Sequence, residues 1–111
     1  MEYKVDIKPL SVNECWQGRR FKTPKYKKYE SDMLLMLPAL LVPPKPYRIV
    51  FEFGLSNHAN DIDNSVKPFM DILQKRYLFN DRDVMEMLLK KVKVEKGKEY
   101  IYFKVETWIK S

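Results

Sequence analysis

The chain has one cysteine, one histidine and three glycines among its 111 residues, and each scarcity removes a class of chemistry. A lone thiol, Cys15, can neither close an internal disulfide nor build a cysteine-based zinc site. A lone imidazole, His58, rules out any two-histidine metal motif and leaves Cys15 without a convincing base partner. Glycine occurs only at positions 18, 54 and 97, so no glycine-rich phosphate loop can be assembled. Long apolar runs are also missing. The longest, Met33 to Val42, is ten residues and contains Pro38, whereas a spanning helix needs about 20 apolar residues. The first residues alternate polar with apolar and carry no signal-type apolar core, so a soluble, cytoplasmic protein is the expectation.

What the chain does have is positive charge and aromatic mass. Lys and Arg number 21 against 15 Asp and Glu, a net charge of +6, and this field favours a polyanionic partner such as nucleic acid. Seven Tyr, six Phe, six Met and two Trp supply enough burial to offset chain entropy, which excludes a disordered chain. The length suits one domain over residues 1–111.

Tyr3, Val5 and Ile7 alternate with charged neighbours as in a half-buried strand that Pro9 ends. A basic stretch follows, holding Arg19, Arg20, Lys22, Lys25, Lys27 and Lys28 together with Phe21 and Tyr26. Thr23 before Pro24 predicts a helix start, and the spacing of Tyr26, Tyr29, Met33, Met36 and Leu37 predicts that this helix ends near Leu37. Tyr47 to Leu55 alternates as a second strand. Val66, Phe69, Met70, Leu73 and Tyr77 keep helical spacing, with Pro68 tolerated if the helix begins between Asn64 and Val66. Met85 to Glu95 and Glu99 to Ile109 read as two strands joined in a hairpin at Gly97. The expected fold is therefore α+β, in the order strand, helix, strand, helix, hairpin. A mixed sheet of about four strands would carry two helices packed against it.

Five acidic residues between positions 61 and 83 are all aspartates: Asp61, Asp63, Asp71, Asp81 and Asp83. In an extended segment Asp61 and Asp63 would point to one side, and two carboxylates sharing a small space suit a hard divalent cation such as Mg²⁺. Asp81 or Asp83, where the chain returns to the sheet, could close a further side. Asp63, Lys67 and Asp71 are four apart, so they form either a surface ion-pair ladder or a face that aims Lys67 at a phosphate. The competing reading of the Asp61/Asp63 region is a turn with Asp63 or Asn64 as helix cap. A calcium loop starting at Asp61 fails, because Val66 and Ile72 stand where Gly and Glu are required.

The run Asp61-Ile62-Asp63-Asn64-Ser65-Val66-Lys67, then Asp71, then Asn80-Asp81-Arg82-Asp83-Val84, resembles the core signature of the RusA-type Holliday junction resolvases. Pro9-Leu10-Ser11-Val12-Asn13, with Trp16 and the basic stretch, is similar to the family's N-terminal segment. The chain departs at Asn80, where the family often has a second acid, and at Ala59-Asn60, where many members carry arginine. The resemblance implies a Mg²⁺-dependent endonuclease, with Mn²⁺ as a substitute, acting on four-way DNA junctions as a homodimer in a bacterial or phage-infected cell. It implies Asp61, Asp63 and Asp81 as metal-binding catalytic carboxylates, Lys67 as catalytic lysine, and Asp71 and Asn64 as supporting residues. The basic segment from Arg19 to Lys28, with Lys90, Lys91 and Lys93, would hold the phosphate backbone, and Phe21, Tyr26 or Tyr29 could wedge at the junction. The apolar Met33 to Leu37 stretch, more than one helix face requires, is the expected dimer surface. Two other readings remain open from sequence: a non-catalytic basic nucleic-acid-binding module, and a metal nuclease acting on RNA or linear DNA.

Overall fold

A computed structural model describes residues 1–18, 21–57 and 59–110. The elements in chain order are β1 (Glu2–Val5), β2 (Trp16–Gln17), β3 (Phe21–Lys22), α1 (Pro24–Met36), β4 (Tyr47–Leu55), α2 (Val66–Tyr77), β5 (Val84–Lys93) and β6 (Tyr100–Thr107). Short 3-10 turns at Val12–Glu14 and Asp81–Asp83 precede β2 and β5. The main sheet has four strands in the order β1-β6-β4-β5, and β2 with β3 forms a separate two-stranded ribbon. The α+β class with a mixed four-stranded sheet and two helices is as expected from the sequence.

Local signals are realised closely. Thr23 accepts a hydrogen bond from the Tyr26 amide at 3.1 Å through its side chain and Pro24 takes the first helical position, where its missing N–H costs nothing. The helix ends with Leu37 as C-cap, its N–H donating to the Met33 carbonyl at 2.9 Å. Pro68 is the third residue of α2, inside the first turn where no intrahelical donor is lost. The face of α2 that packs is marked by Phe69, whose ring lies 5.3 Å from that of Phe51 and 5.6 Å from that of Phe103.

The core lies between the helices and one face of the sheet. Tyr26, Tyr29 and Met33 of α1 and Phe69, Met70, Ile72 and Leu73 of α2 meet Ile49, Phe51 and Phe53 of β4 and Ile101, Phe103 and Val105 of β6, all of them buried. The opposite face of the sheet is polar and paired. Arg48 bonds Glu86 and Glu106, each at 3.1 Å, and the Tyr100 hydroxyl donates to Glu52 at 2.6 Å. Gly54 sits opposite Tyr100 in the β4–β6 ladder, and a Cβ there would run into the Tyr100 ring.

The expected closing hairpin is corrected. Strands β5 and β6 do not pair with each other, because β4 lies between them, parallel to β5 and antiparallel to β6. The reason is that β4 is buried at seven of its nine positions and so needs a neighbour on each side. The run strand, helix, strand from β4 through α2 to β5 is a crossover unit that delivers a parallel neighbour. The turn around Gly97 forms, with Lys98 N–H donating to the Glu95 carbonyl at 2.9 Å, but it bridges across β4. The surplus apolar residues of α1 divide likewise: Met33 and Leu37 belong to the core, whereas Leu35 is 85% exposed.

Candidate metal and phosphate site

Between β4 and α2 the backbone coils rather than extends. The Asn64 N–H donates to the Asp61 carbonyl and the Val66 N–H to the Asp63 carbonyl, both at 3.1 Å. These two successive turns overturn the expectation that Asp61 and Asp63 share one side of an extended segment. Ser65, not Asp63 or Asn64, is the N-cap of α2, and it makes no side-chain capping bond. The turn is anchored from outside by the Val12 N–H, which donates to the Asn64 carbonyl at 2.8 Å.

That anchor belongs to a segment whose role the sequence reading missed. Ser11 and Glu14 form a capping box around the 3-10 turn: the Asn13 N–H donates to Ser11 Oγ at 3.2 Å and the Ser11 N–H to Glu14 Oε2 at 3.3 Å. The signal was present as Ser-x-x-Glu. Cys15, fully buried behind this turn, donates to the Ser11 carbonyl at 3.3 Å, and burial pushes its thiol up to about 11. It is a structural thiol, as its ordinary chemistry suggests.

At the far end of α2, Leu78 adopts the left-handed conformation (φ 57°) and stops the helix. Asn80 then caps the second 3-10 turn, its side chain accepting from the Arg82 N–H at 3.0 Å. The Asp81 N–H donates to Gln74 Oε1 at 2.8 Å, which ties this turn back to the helix. Asn80 therefore holds the turn that presents Asp81, a task its amide performs without a charge.

The helix N-terminus, this turn and β5 enclose a groove of about 620 Å³. Asp63, Lys67, Asp81 and Glu86 supply its polar lining, and Val66, Met70, Val84, Met85, Met87 and Leu89 its apolar lining. Three of the four expected catalytic residues thus share one concavity. Asp61 is exposed and is not among the lining residues. Among the described residues no three His, Cys, Asp or Glu side chains converge as a ligand set. Asp63 and Asp81 remain as two exposed carboxylates on separate elements, a hard oxygen donor set that fits Mg²⁺ completed by water and phosphate. Lys67 Nζ lies 3.0 Å from Asp71 Oδ1, so the helix-face pair forms as spaced.

Of the basic stretch, Arg19 and Arg20 lie outside the described residues, as does His58. Lys22 pairs with Glu30 at 3.0 Å, Lys25 with Glu14 at 2.8 Å and Lys28 with Asp32 at 2.6 Å, while Lys27 is exposed. These acids reduce the field that six cations would otherwise project. Phe21 is 72% exposed, whereas Tyr26 and Tyr29 are buried, so only Phe21 of the three aromatics can reach a ligand. Among the described residues no helix is long and apolar enough to cross a membrane. No family model and no curated protein matches the chain.

Proposed function

We propose that the protein is a Mg²⁺-dependent endonuclease acting on branched DNA, a four-way junction above all, in the cytoplasm and as a homodimer. The observation that carries the reading is the meeting of Asp63, Lys67 and Asp81 in one groove, although they come from a turn, a helix and a second turn. Mg²⁺ (or Mn²⁺) bound there would neutralise phosphate charge and ease the generation of the attacking hydroxide. Asp63 and Asp81 would hold it; Asp61, two residues before Asp63, is not among the residues that line the groove. Lys67 donates toward the phosphate oxygen on which charge builds, and Asp71 positions Lys67. Asn64 supports the turn through its two backbone bonds. Exposed lysines at Lys91 and Lys93 and the basic stretch would contact phosphates without reading bases.

A second reading, a non-catalytic nucleic-acid-binding module, draws on the lack of a three-ligand set among the described residues. Incubating the protein with a synthetic four-way junction and a matched linear duplex, with and without Mg²⁺, decides between them. Metal-dependent cuts in the junction alone are expected. Binding without cleavage gives the second reading, and equal cleavage of the duplex, or cleavage of RNA, gives a nuclease of other specificity.

A further inference from the structure

Strand β5 is a ten-residue strand at the edge of the main sheet, paired along one side with β4. Met85, Met87, Leu88 and Val92 on it are all more than a third exposed. A long edge with apolar side chains is ordinarily blunted by lysine, and lysines stand at 90, 91 and 93. Here an acid, Glu86, stands four residues before Lys90, so the strand carries opposite charges on one face about Leu88.

We infer that a second copy of this chain docks on that edge, β5 against β5 and antiparallel, with the two-fold axis through Leu88. Antiparallel partners point their N–H and C=O groups either toward each other or away, and the direction alternates along each strand. A strand pairing with its own copy must therefore place the axis on a residue, not between two. From Glu86 to Lys93 the register against β4 is unbroken, so this alternation holds there. With the axis at Leu88, Lys90 of each copy faces Glu86 of the other, giving two symmetric opposite-charge pairs. An axis at Met87 puts Glu86 opposite Leu88, and one at Leu89 puts it opposite Val92, so neither neighbouring register pairs it with a lysine. An axis at Lys90 or Glu86 sets like charges face to face.

The groove gives independent support. Met87 and Leu89 line it on the helix side of β5. In the paired arrangement the partner's Leu89 stands opposite Met87 and the partner's Met87 opposite Leu89, so the apolar floor continues into the second copy. Two carboxylate sets would then lie along one trough. The inference draws on the nuclease reading only for the use of two sites; sedimentation counts subunits whether or not DNA is cut, so the two can fail separately.

The test is sedimentation equilibrium of wild type, Lys90→Glu, Glu86→Lys, their equimolar mixture and the double variant, each checked for folding by circular dichroism. Wild type is expected to be dimeric at micromolar concentration and each single variant at least tenfold weaker. The mixture and the double variant should regain the dimer, because each restores an opposite-charge pair at every contact. Glu86 also bonds Arg48, so Lys90→Glu decides if Glu86→Lys misfolds. A monomeric wild type, a Lys90→Glu variant that dimerises as well as wild type, or a double variant that is folded but monomeric would overturn the inference.

Discussion

Replacing Lys67 by Met keeps the aliphatic stem and removes the ammonium, and its two consequences separate structure from chemistry. Lys67 is the second residue of α2, whose first turn has no acidic residue. A cation there faces the positive end of the helix dipole, which costs about 0.3–1 kcal/mol. Its pair with Asp71, at 3.0 Å and with the lysine side chain 67% exposed, returns about 0.2–0.5 kcal/mol. The two nearly cancel, so the variant's stability in urea should lie within about 0.5 kcal/mol of wild type. If Lys67 stabilises charge building on a phosphate, single-turnover cleavage should fall by about 10²–10³. Unchanged cleavage, or a stability loss above about 1 kcal/mol that tracks the activity loss, would refute the reasoning.

Phe69→Ala removes the ring that packs among Phe51, Phe53 and Phe103 and should cost about 3–5 kcal/mol in urea unfolding; a loss under about 1 kcal/mol would mean that α2 is not seated as described. Acid should destabilise the fold through Glu14 and Glu30. Hydrogen bonding from Lys25 lowers Glu14; burial raises Glu30, but bonds from Lys22 and Lys75 outweigh it and lower that group too. Both depressed carboxyls contribute stability that is full above their ordinary value of 4.5 and is lost as pH falls through their folded values. Glu14→Gln with Glu30→Gln should flatten the stability profile below that pH, and an unaltered profile would contradict these partners.

Signals confined to a few adjacent residues were legible in the sequence. Thr23-Pro24 marks the start of α1 because the cap and the proline act within one turn, and the alternation of Tyr47 to Leu55 marks β4 because each side chain reports its own face. Pairing across the chain was not. Residues 84–107 look like a hairpin because the two strands are adjacent and Gly97 offers a turn, but nothing local records that β4 needs both as neighbours. The Asp61/Asp63 geometry was ambiguous for a similar reason: these residue types suit both an extended segment and a turn, and two backbone hydrogen bonds decide for the turn. Asp61, Asp63, Lys67 and Asp81 stood together in the sequence only through the family resemblance, since the residues themselves left Asp81 and Asp83 as alternatives, whereas the wall formed by Met85, Met87 and Leu89 depends on where β5 lies.

The measurement that bears most directly on the nuclease reading compares wild type with Asp63→Asn on a labelled four-way junction at saturating protein, with Mg²⁺ added only after binding is complete. Wild type should cut the junction, and the variant should bind it as tightly or more so, since a negative charge beside phosphate has been removed, while leaving it intact. Cleavage by Asp63→Asn at the wild-type rate, or no cleavage by wild type under any divalent metal, would contradict the account.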